Sequence, residues 1–246
     1  MSVRIVVAGI TGRMGREIVA AAHDESGVEI IGGTSRSGAS LGDLIGAADV
    51  VIDMTRPDAT VEHVAFCAAA GVPFVTGTTG LGQKERDALT RAANDIPVFA
   101  ASNLSPGVAA MSRLLPALRL ALDGYDVEII ETHHRHKADA PSGTAMALLD
   151  ALTTARRDAA GDRVVVGRQG KAPRKTAEIG IHAIRAGGNP GEHTVIFAND
   201  GEEIRISHRA FSRKSYANGA IRAAEWLVRK PPGLYGMEDL MENPDP

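Results

Sequence analysis

The feature that most constrains the fold is an alternation of two periods along the N-terminal part of the chain. Short β-branched runs at Val3–Ala8, Val28–Gly32, Val50–Met54, Pro73–Thr76 and Pro97–Ala101 read as strands. Between them lie helical segments at Gly12–His23, Pro57–Ala70 and Gln83–Asn94. Strand and helix alternating at this spacing build βαβ units, hence a mostly parallel sheet with helices on both faces. The helix ends agree: Pro57 and Asp58 suit a first turn, and Gly71 followed by Pro73 suits a stop. Leu89, Ala92 and Ala93 form a buried stripe on the third helix. The polar, glycine-containing stretch Ser35–Leu44 is expected to carry no regular helix.

After Asn103 the texture changes. Pro106–Leu122 reads as a helix, Val127–Thr132 as a strand, and Ser142 to about Arg157 as a helix. The basic stretch GRQGKAPRKTAEIG reads as a loop, and Ile179–Arg185, His193–Ala198 and Glu203–His208 as strands. Strands this close together imply an antiparallel or mixed sheet with helices on one face, a second α+β domain. Tyr216–Lys230 is helical again, with Ile221, Ala224, Leu227 and Val228 on one stripe, and the Pro-rich tail is expected to fray.

Composition narrows the function classes. A formal charge of -3 with no basic arm argues against nucleic acid or an anionic membrane surface as partner. No apolar run approaches a membrane span, and MSVRIVVAG lacks the pattern of a signal peptide, so a cytoplasmic protein is expected. The single cysteine, Cys67, rules out a disulfide within the chain; in VEHVAFCAAAG it reads as a packed apolar residue rather than a nucleophile.

The first strand runs straight into Gly9-Ile10-Thr11-Gly12-Arg13-Met14-Gly15. Such a strand-to-helix turn lets the backbone approach a pyrophosphate, which the free N–H groups of the next helix then hold. Arg13 and Arg16 add positive charge. The pattern departs from G-x-G-x-x-G at Ile10, so its weight comes from the strand before it and the helix after it; the competing reading is tight helix packing without a ligand. At the end of the second strand, Gly32-Gly33-Thr34-Ser35-Arg36 has no carboxylate for ribose hydroxyls. Arg36 and Ser35 instead suit a 2′-phosphate, so NADPH is expected to be preferred and NADH possible, unless Arg36 is only a solvated loop residue. Two further strand ends, Gly77-Thr78-Thr79-Gly80 and Ala101-Ser102-Asn103-Leu104, would line the same crevice.

Three of the eight histidines fall within Glu131–Thr144, ETHHRHKADAPSGT, which leaves a strand and enters a helix. Three readings compete. One is an anion-binding catalytic loop for a di-acid, with Ser142, Gly143 and Thr144 at a helix N-terminus and Lys137 as an acid tuned by nearby cations. The second is a metal site on His134 and His136, disfavoured by the adjacent Arg135 and Lys137. The third is a charged structural loop. A second candidate anion site is Ile184-Arg185-Ala186-Gly187-Gly188, where Arg185 would clamp a carboxylate or simply lie on the surface of a turn.

The stretch ETHHRHKADAPSGTA, with GITGRMGR, VIDMTRP, VTGTTG, IRAGG and SRKSYANGA in order along nearly the whole chain, resembles the 4-hydroxy-tetrahydrodipicolinate reductase family. The resemblance implies a Rossmann domain of residues 1–104 and 215–246, and a substrate and oligomerisation domain of residues 105–214 in a homotetramer. It places the cofactor on Gly9, Ile10, Thr11, Gly12, Arg13, Met14, Arg36, Gly77, Thr78, Thr79, Ala101, Ser102, Asn103 and Leu104. It makes His133 the catalytic histidine and Lys137 the proton donor, with His134, Gly143 and Thr144 on the substrate carboxylates and no metal. Ser35 stands where the family has an acidic residue, and Leu104 where many relatives have an aromatic one. The implied reaction is hydride transfer from NAD(P)H to an α,β-unsaturated cyclic dicarboxylate imine, giving tetrahydrodipicolinate for lysine and diaminopimelate biosynthesis. Closure about hinges near Asn103–Pro106 and Ser212–Tyr216 is part of that expectation. The competing functions are a related Rossmann reductase of another amino-acid-derived substrate, a metal-dependent hydrolase using His134 and His136, and a non-catalytic nucleotide sensor.

Overall fold

A computed structural model of the chain describes residues 2–36, 38–155 and 163–242. In chain order the elements begin with β1 (Val3–Ala8), α1 (Arg13–Ala22), β2 (Val28–Thr34), α2 (Leu41–Leu44), β3 (Val50–Asp53), α3 (Pro57–Ala70), β4 (Phe74–Thr76), α4 (Gln83–Ala92) and β5 (Pro97–Ala100). They continue with α5 (Pro106–Ala121), β6 (Asp126–His133), α6 (Gly143–Thr154), β7 (Arg163–Val166), β8 (Glu178–Arg185), β9 (Glu192–Ala198), β10 (Glu203–Arg209), α7 (Lys214–Leu227), β11 (Gly233–Tyr235) and α8 (Met237–Glu242). The chain divides into two compact units: residues through Pro106 together with those from Arg213 onward, and Gly107–Ser212 between them.

The first unit is a six-stranded sheet in the order β11-β5-β4-β3-β1-β2, parallel at every pairing. All four residues of β3 and the last four of β1 are buried, as expected for central strands covered on both faces. Alternation sorts their side chains. Val6, Ala8, Val51, Phe74 and Val98 pack with Val64 and Cys67 of α3 and Ala88, Leu89 and Ala92 of α4. The other face is covered by α1 and α7, where Phe99 meets Trp226 edge to face at 6.3 Å between ring centres. From β1 the chain moves outward to β2 and then returns past β1 to β3, so the strand order reverses between β1 and β3. Ligands of open α/β sheets bind beyond the carboxyl ends of the strands at such a reversal.

The second unit is a mixed sheet in the order β10-β9-β6-β8-β7, with β6, β8 and β7 parallel and β9 and β10 antiparallel. One face packs Val127, Ile129, Ile179, Ile181, Val195 and Phe197 against Met111 and Leu115 of α5 and Leu148, Leu149 and Leu152 of α6. On β6 the buried positions are Val127, Ile129, Glu131 and His133, so an apolar stripe turns polar at its carboxyl end.

Four elements differ from expectation. The Ser35–Leu44 connection ends in the one-turn α2, because the Asp43 carboxylate accepts from the Ser40 amide at 3.0 Å and the Ser40 hydroxyl at 2.7 Å. In the tail expected to fray, the residues through Glu242 instead form β11, paired with β5, and α8, which buries Leu240 and is started by the Gly236 amide donating to Asp239 at 2.7 Å; residues 243–246 lie outside the described residues. The edge strand β7 was not anticipated. Helix α6 is described through Thr154; the expected end at Arg157 lies outside the described residues.

Candidate active site

The turn after β1 is built from glycines for three separate reasons. Gly9 has φ +82, a left-handed conformation that favours glycine. Its amide and that of Ile10 both donate to the Thr34 carbonyl at 3.1 Å, tying the turn to the end of β2. Gly15 lets α1 press on the turn, since a Cβ there would lie 2.3 Å from the Gly9 carbonyl oxygen. Ile10, where a glycine was expected, fits because Gly33 has no side chain: a Cβ at Gly33 would stand 2.5 Å from the Ile10 Cβ. Gly12 is the N-cap of α1, with no side chain capping the helix and no acidic residue in its first turn. Thr11, Gly12 and Arg13 are exposed, so free amides and a cation face outward at a positive helix end, a fit for a pyrophosphate. Arg36 is exposed beyond β2 and has no ion-pair partner among the described residues.

Gly77–Thr79 and Ala101–Leu104 follow β4 and β5, so the expected cofactor residues lie along one edge of the first sheet. A cavity of about 500 Å³ opens there, lined among others by Thr78, Gly80, Ala101, Ser102 and Leu234. Leu104 is 3% exposed and its side chain packs over Gly77, where a Cβ would lie 2.8 Å from it.

Beneath these loops is a group that sequence reasoning did not single out. Asp53, the last residue of β3, is fully buried. Its Oδ1 accepts from the Thr55 hydroxyl at 2.6 Å and His63 Nδ1 at 3.0 Å. Its Oδ2 accepts from the hydroxyls of Thr60 at 2.6 Å, Thr78 at 3.0 Å and Thr76 at 3.2 Å. Removing a carboxylate from water costs several kcal/mol unless donors replace the solvent, and here four hydroxyls and an imidazole N–H do so. The VIDMTRP segment contains the acid, but its donors come from three elements, and no local pattern announces them.

In the second unit, Glu131 and His133 sit two apart on β6 and so share a face. His133 Nδ1 lies 2.6 Å from Glu131 Oε2. Because a carboxylate only accepts, Nδ1 carries the proton and Nε2 is left as an acceptor. The parallel register sets Arg185 beside His133, and its two terminal nitrogens donate to the Glu131 oxygens at 2.6 and 2.7 Å. The Ser142 amide completes the set at 3.0 Å. Burial raises the Glu131 carboxyl, but the Arg185 and His133 hydrogen bonds outweigh it and hold the group below its ordinary range. Burial lowers the His133 imidazole against the opposing pull of Glu131, so the ring is neutral at physiological pH. Arg185, expected as a carboxylate clamp, spends both terminal nitrogens on Glu131.

The Ser142 hydroxyl accepts from the Ala145 amide at 3.1 Å, capping α6, and lies 3.2 Å from His193 Nε2. His193, which sequence reasoning missed, is 1% exposed and stacks edge to face with His133 at 5.1 Å. Burial, with His133 nearby, pushes its imidazole down to about 3.

The Lys137 ammonium lies 2.8 Å from Asp139, so its near neighbour is an anion rather than the expected cations. Burial raises the Asp139 carboxyl, but Lys137 and the Gly143 backbone amide hold it below its ordinary range. Thus His133, His134, Lys137, Gly143, Thr144 and Arg185 gather where β6 and β8 end and α6 begins. The His134 and His136 rings are 6.2 Å apart, and among the described residues no three His, Cys, Asp or Glu side chains converge to hold a metal ion.

The description "Dihydrodipicolinate reductase, N-terminus" matches residues 3–104, and "Dihydrodipicolinate reductase, C-terminus" matches residues 107–241. A 4-hydroxy-tetrahydrodipicolinate reductase of Rubrobacter xylanophilus is 42% identical, over 98% of this chain and 99% of that protein. One from Halorhodospira halophila is also 42% identical with the same coverage. Among solved structures, a dipicolinate-bound dihydrodipicolinate reductase from Paenisporosarcina sp. TG-14 superposes with a TM-score of 0.76 at 26% identity, over 98% of this chain and 100% of that one. Two adjoining domain matches that run in order along the chain, with relatives this similar from end to end, place it in the dihydrodipicolinate reductase family.

Proposed function

We propose that this chain reduces the cyclic dicarboxylate imine derived from 4-hydroxy-tetrahydrodipicolinate to tetrahydrodipicolinate, for lysine and diaminopimelate biosynthesis, with NADPH as its preferred donor. The observation that carries the reading is the constellation at the end of β6: a neutral His133 fixed by Glu131, with Lys137 and the start of α6 close by in sequence and joined through Asp139. A planar dicarboxylate suits it, and the Paenisporosarcina relative holds one.

The chain's own residues divide the work. The Gly143 amide, Thr144 and His134 receive the substrate carboxylates at the positive end of α6. The Lys137 ammonium exchanges its Asp139 partner for substrate and donates the proton that completes reduction. His133 stays neutral and oriented, offering Nε2 as a fixed acceptor to that ammonium or to substrate. Arg185 acts through Glu131, holding the carboxylate that orients His133. In the first unit, Gly9 to Met14 hold the pyrophosphate, while Gly77, Thr78, Thr79, Ala101, Ser102, Asn103 and Leu104 shape the nicotinamide end. When bound, the reduced nicotinamide supplies the hydride. Preference for NADPH rests on Arg36, exposed beyond a β2 that ends without a carboxylate. The assembly proposed is a homotetramer built on the second unit, whose sheet exposes Val164, Val166, Ile184 and Ile204.

The test is NADPH oxidation with freshly generated 4-hydroxy-tetrahydrodipicolinate, by the wild type and by Lys137→Ala. The wild type should turn over, and the variant should bind NADPH normally but lose about a hundredfold or more in turnover. Unchanged turnover would remove Lys137 from the proton-donor role, and NADPH binding without oxidation by the wild type would overturn the substrate.

A further inference from the structure

Asp53 has no assigned part in the chemistry above, yet its surroundings are unusual for a merely buried acid. It ends β3 at the point where the strand order reverses, under the edge where the cofactor residues gather. Its five donors come from the β3 exit (Thr55), helix α3 (Thr60 and His63) and the β4 exit (Thr76 and Thr78). Thr76 is doubly engaged, because its hydroxyl also accepts from the Thr78 amide at 3.2 Å. The Gly77 amide donates to the Asp53 carbonyl at 3.1 Å, and the Ala101 amide to the Thr76 carbonyl at 3.1 Å. On the other side, the β3 exit abuts the pyrophosphate turn: a Cβ at Gly9 would lie 3.0 Å from the Met54 carbonyl oxygen and 3.1 Å from Thr55 Cγ2. One carboxylate therefore connects the turn after β1, the exit of β3, the turn after β4 and, through Thr76, the turn after β5.

We propose that Asp53 is a positioning residue for the dinucleotide: its carboxylate fixes the spacing between the Gly9 turn and the Gly77–Thr79 turn, and so the span offered to the two ends of the cofactor. The inference rests on the dinucleotide reading of the first unit. An acceptor with two oxygens is needed because donors arrive from several directions. A neutral amide in its place turns one acceptor into a donor facing hydroxyls and an imidazole N–H, so the loops must re-sort.

Three variants at two positions test it, none of which alters a residue assigned to the cofactor. Asp53→Asn keeps the shape and changes the acceptor. Thr76→Val removes the hydroxyl that bridges Asp53 and the Thr78 amide, and Thr76→Ser restores it. NADPH dissociation constants are read by titration calorimetry, with pyridine-2,6-dicarboxylate titrated in parallel as a probe of the second unit. The expected result is an NADPH constant raised about tenfold in Asp53→Asn and Thr76→Val, near wild type in Thr76→Ser, with dicarboxylate binding unchanged throughout. Should Asp53→Asn fail to fold, the Thr76 pair decides. An unchanged NADPH constant in Thr76→Val, or equal loss for both ligands, overturns the positioning role and leaves the functional reading standing. A wild type that bound neither NADPH nor NADH would overturn both.

Discussion

Glu131 shows how a single side chain can set the chemistry of its neighbours. Fully buried, it takes two hydrogen bonds from Arg185, one from His133 and one from the Ser142 amide. Glu131→Gln would keep the volume but remove the carboxylate that Arg185 is hydrogen-bonded to, and losing one partner of a buried pair costs about 3 kcal/mol. It would also release His133, so turnover is expected to fall about tenfold to a hundredfold with smaller change in NADPH affinity, measurable by steady-state kinetics beside chemical denaturation. Arg36 has the opposite character: it is exposed and has no ion-pair partner among the described residues. Arg36→Ala should weaken NADPH binding about tenfold while NADH binding is little changed; equal loss for both would show that the side chain does not read the 2′-phosphate. His133 and Lys137 could be picked out in the sequence because they stand a few residues apart in one dense motif. Asp53 and His193 could not, because their significance comes from partners on other strands, and Glu131 gains its role only from the register that brings Arg185 alongside, 54 residues later.

Among the elements, α7 is fitted to the first sheet by one missing side chain. A Cβ at Gly219 would fall 1.7 Å from the Leu104 carbonyl oxygen, which is backbone and cannot swing aside. Gly219→Ala gains about 1 kcal/mol of helix propensity but overpacks this contact, for a net loss of about 2 kcal/mol. Thermal melting should fall by several degrees, and because Leu104 packs over Gly77, NADPH affinity should weaken as well. Most elements were legible from periodicity: β1 and α3 have the bounds expected of them. Those that were not are short. The three residues Gly233–Tyr235 have no period of their own, and they become a strand only because the edge of β5 accepts them. Helix α2 is a single capped turn inside a polar stretch.

On the scale of the whole molecule, the two units should answer acid differently. His193 is held near 3, well below the ordinary histidine range, so the unfolded chain binds the proton more readily than the folded one. Its contribution is fully present above pH about 6.5 and is lost as pH falls toward 3, at roughly 1.4 kcal/mol per pH unit. The sole tryptophan, Trp226, belongs to the first unit, whereas circular dichroism reports both. On acid titration the circular dichroism change should therefore begin at higher pH than the fluorescence change. His193→Asn should move the first and leave the second; coincident transitions in the wild type would show that the units unfold together.

Asp139 has a consequence for selectivity. Its carboxylate already sits with the Lys137 ammonium and the Gly143 amide, the groups proposed to receive substrate. It is in effect a tethered competitor, present at a local concentration on the order of millimolar that no dilution reduces. A free monocarboxylate must beat that occupant with a single charge and gains nothing elsewhere. A rigid di-acid would displace it with one carboxylate while the other was held nearby, so in the proposed reaction the loop would disfavour small monocarboxylates by making every visitor compete with a resident.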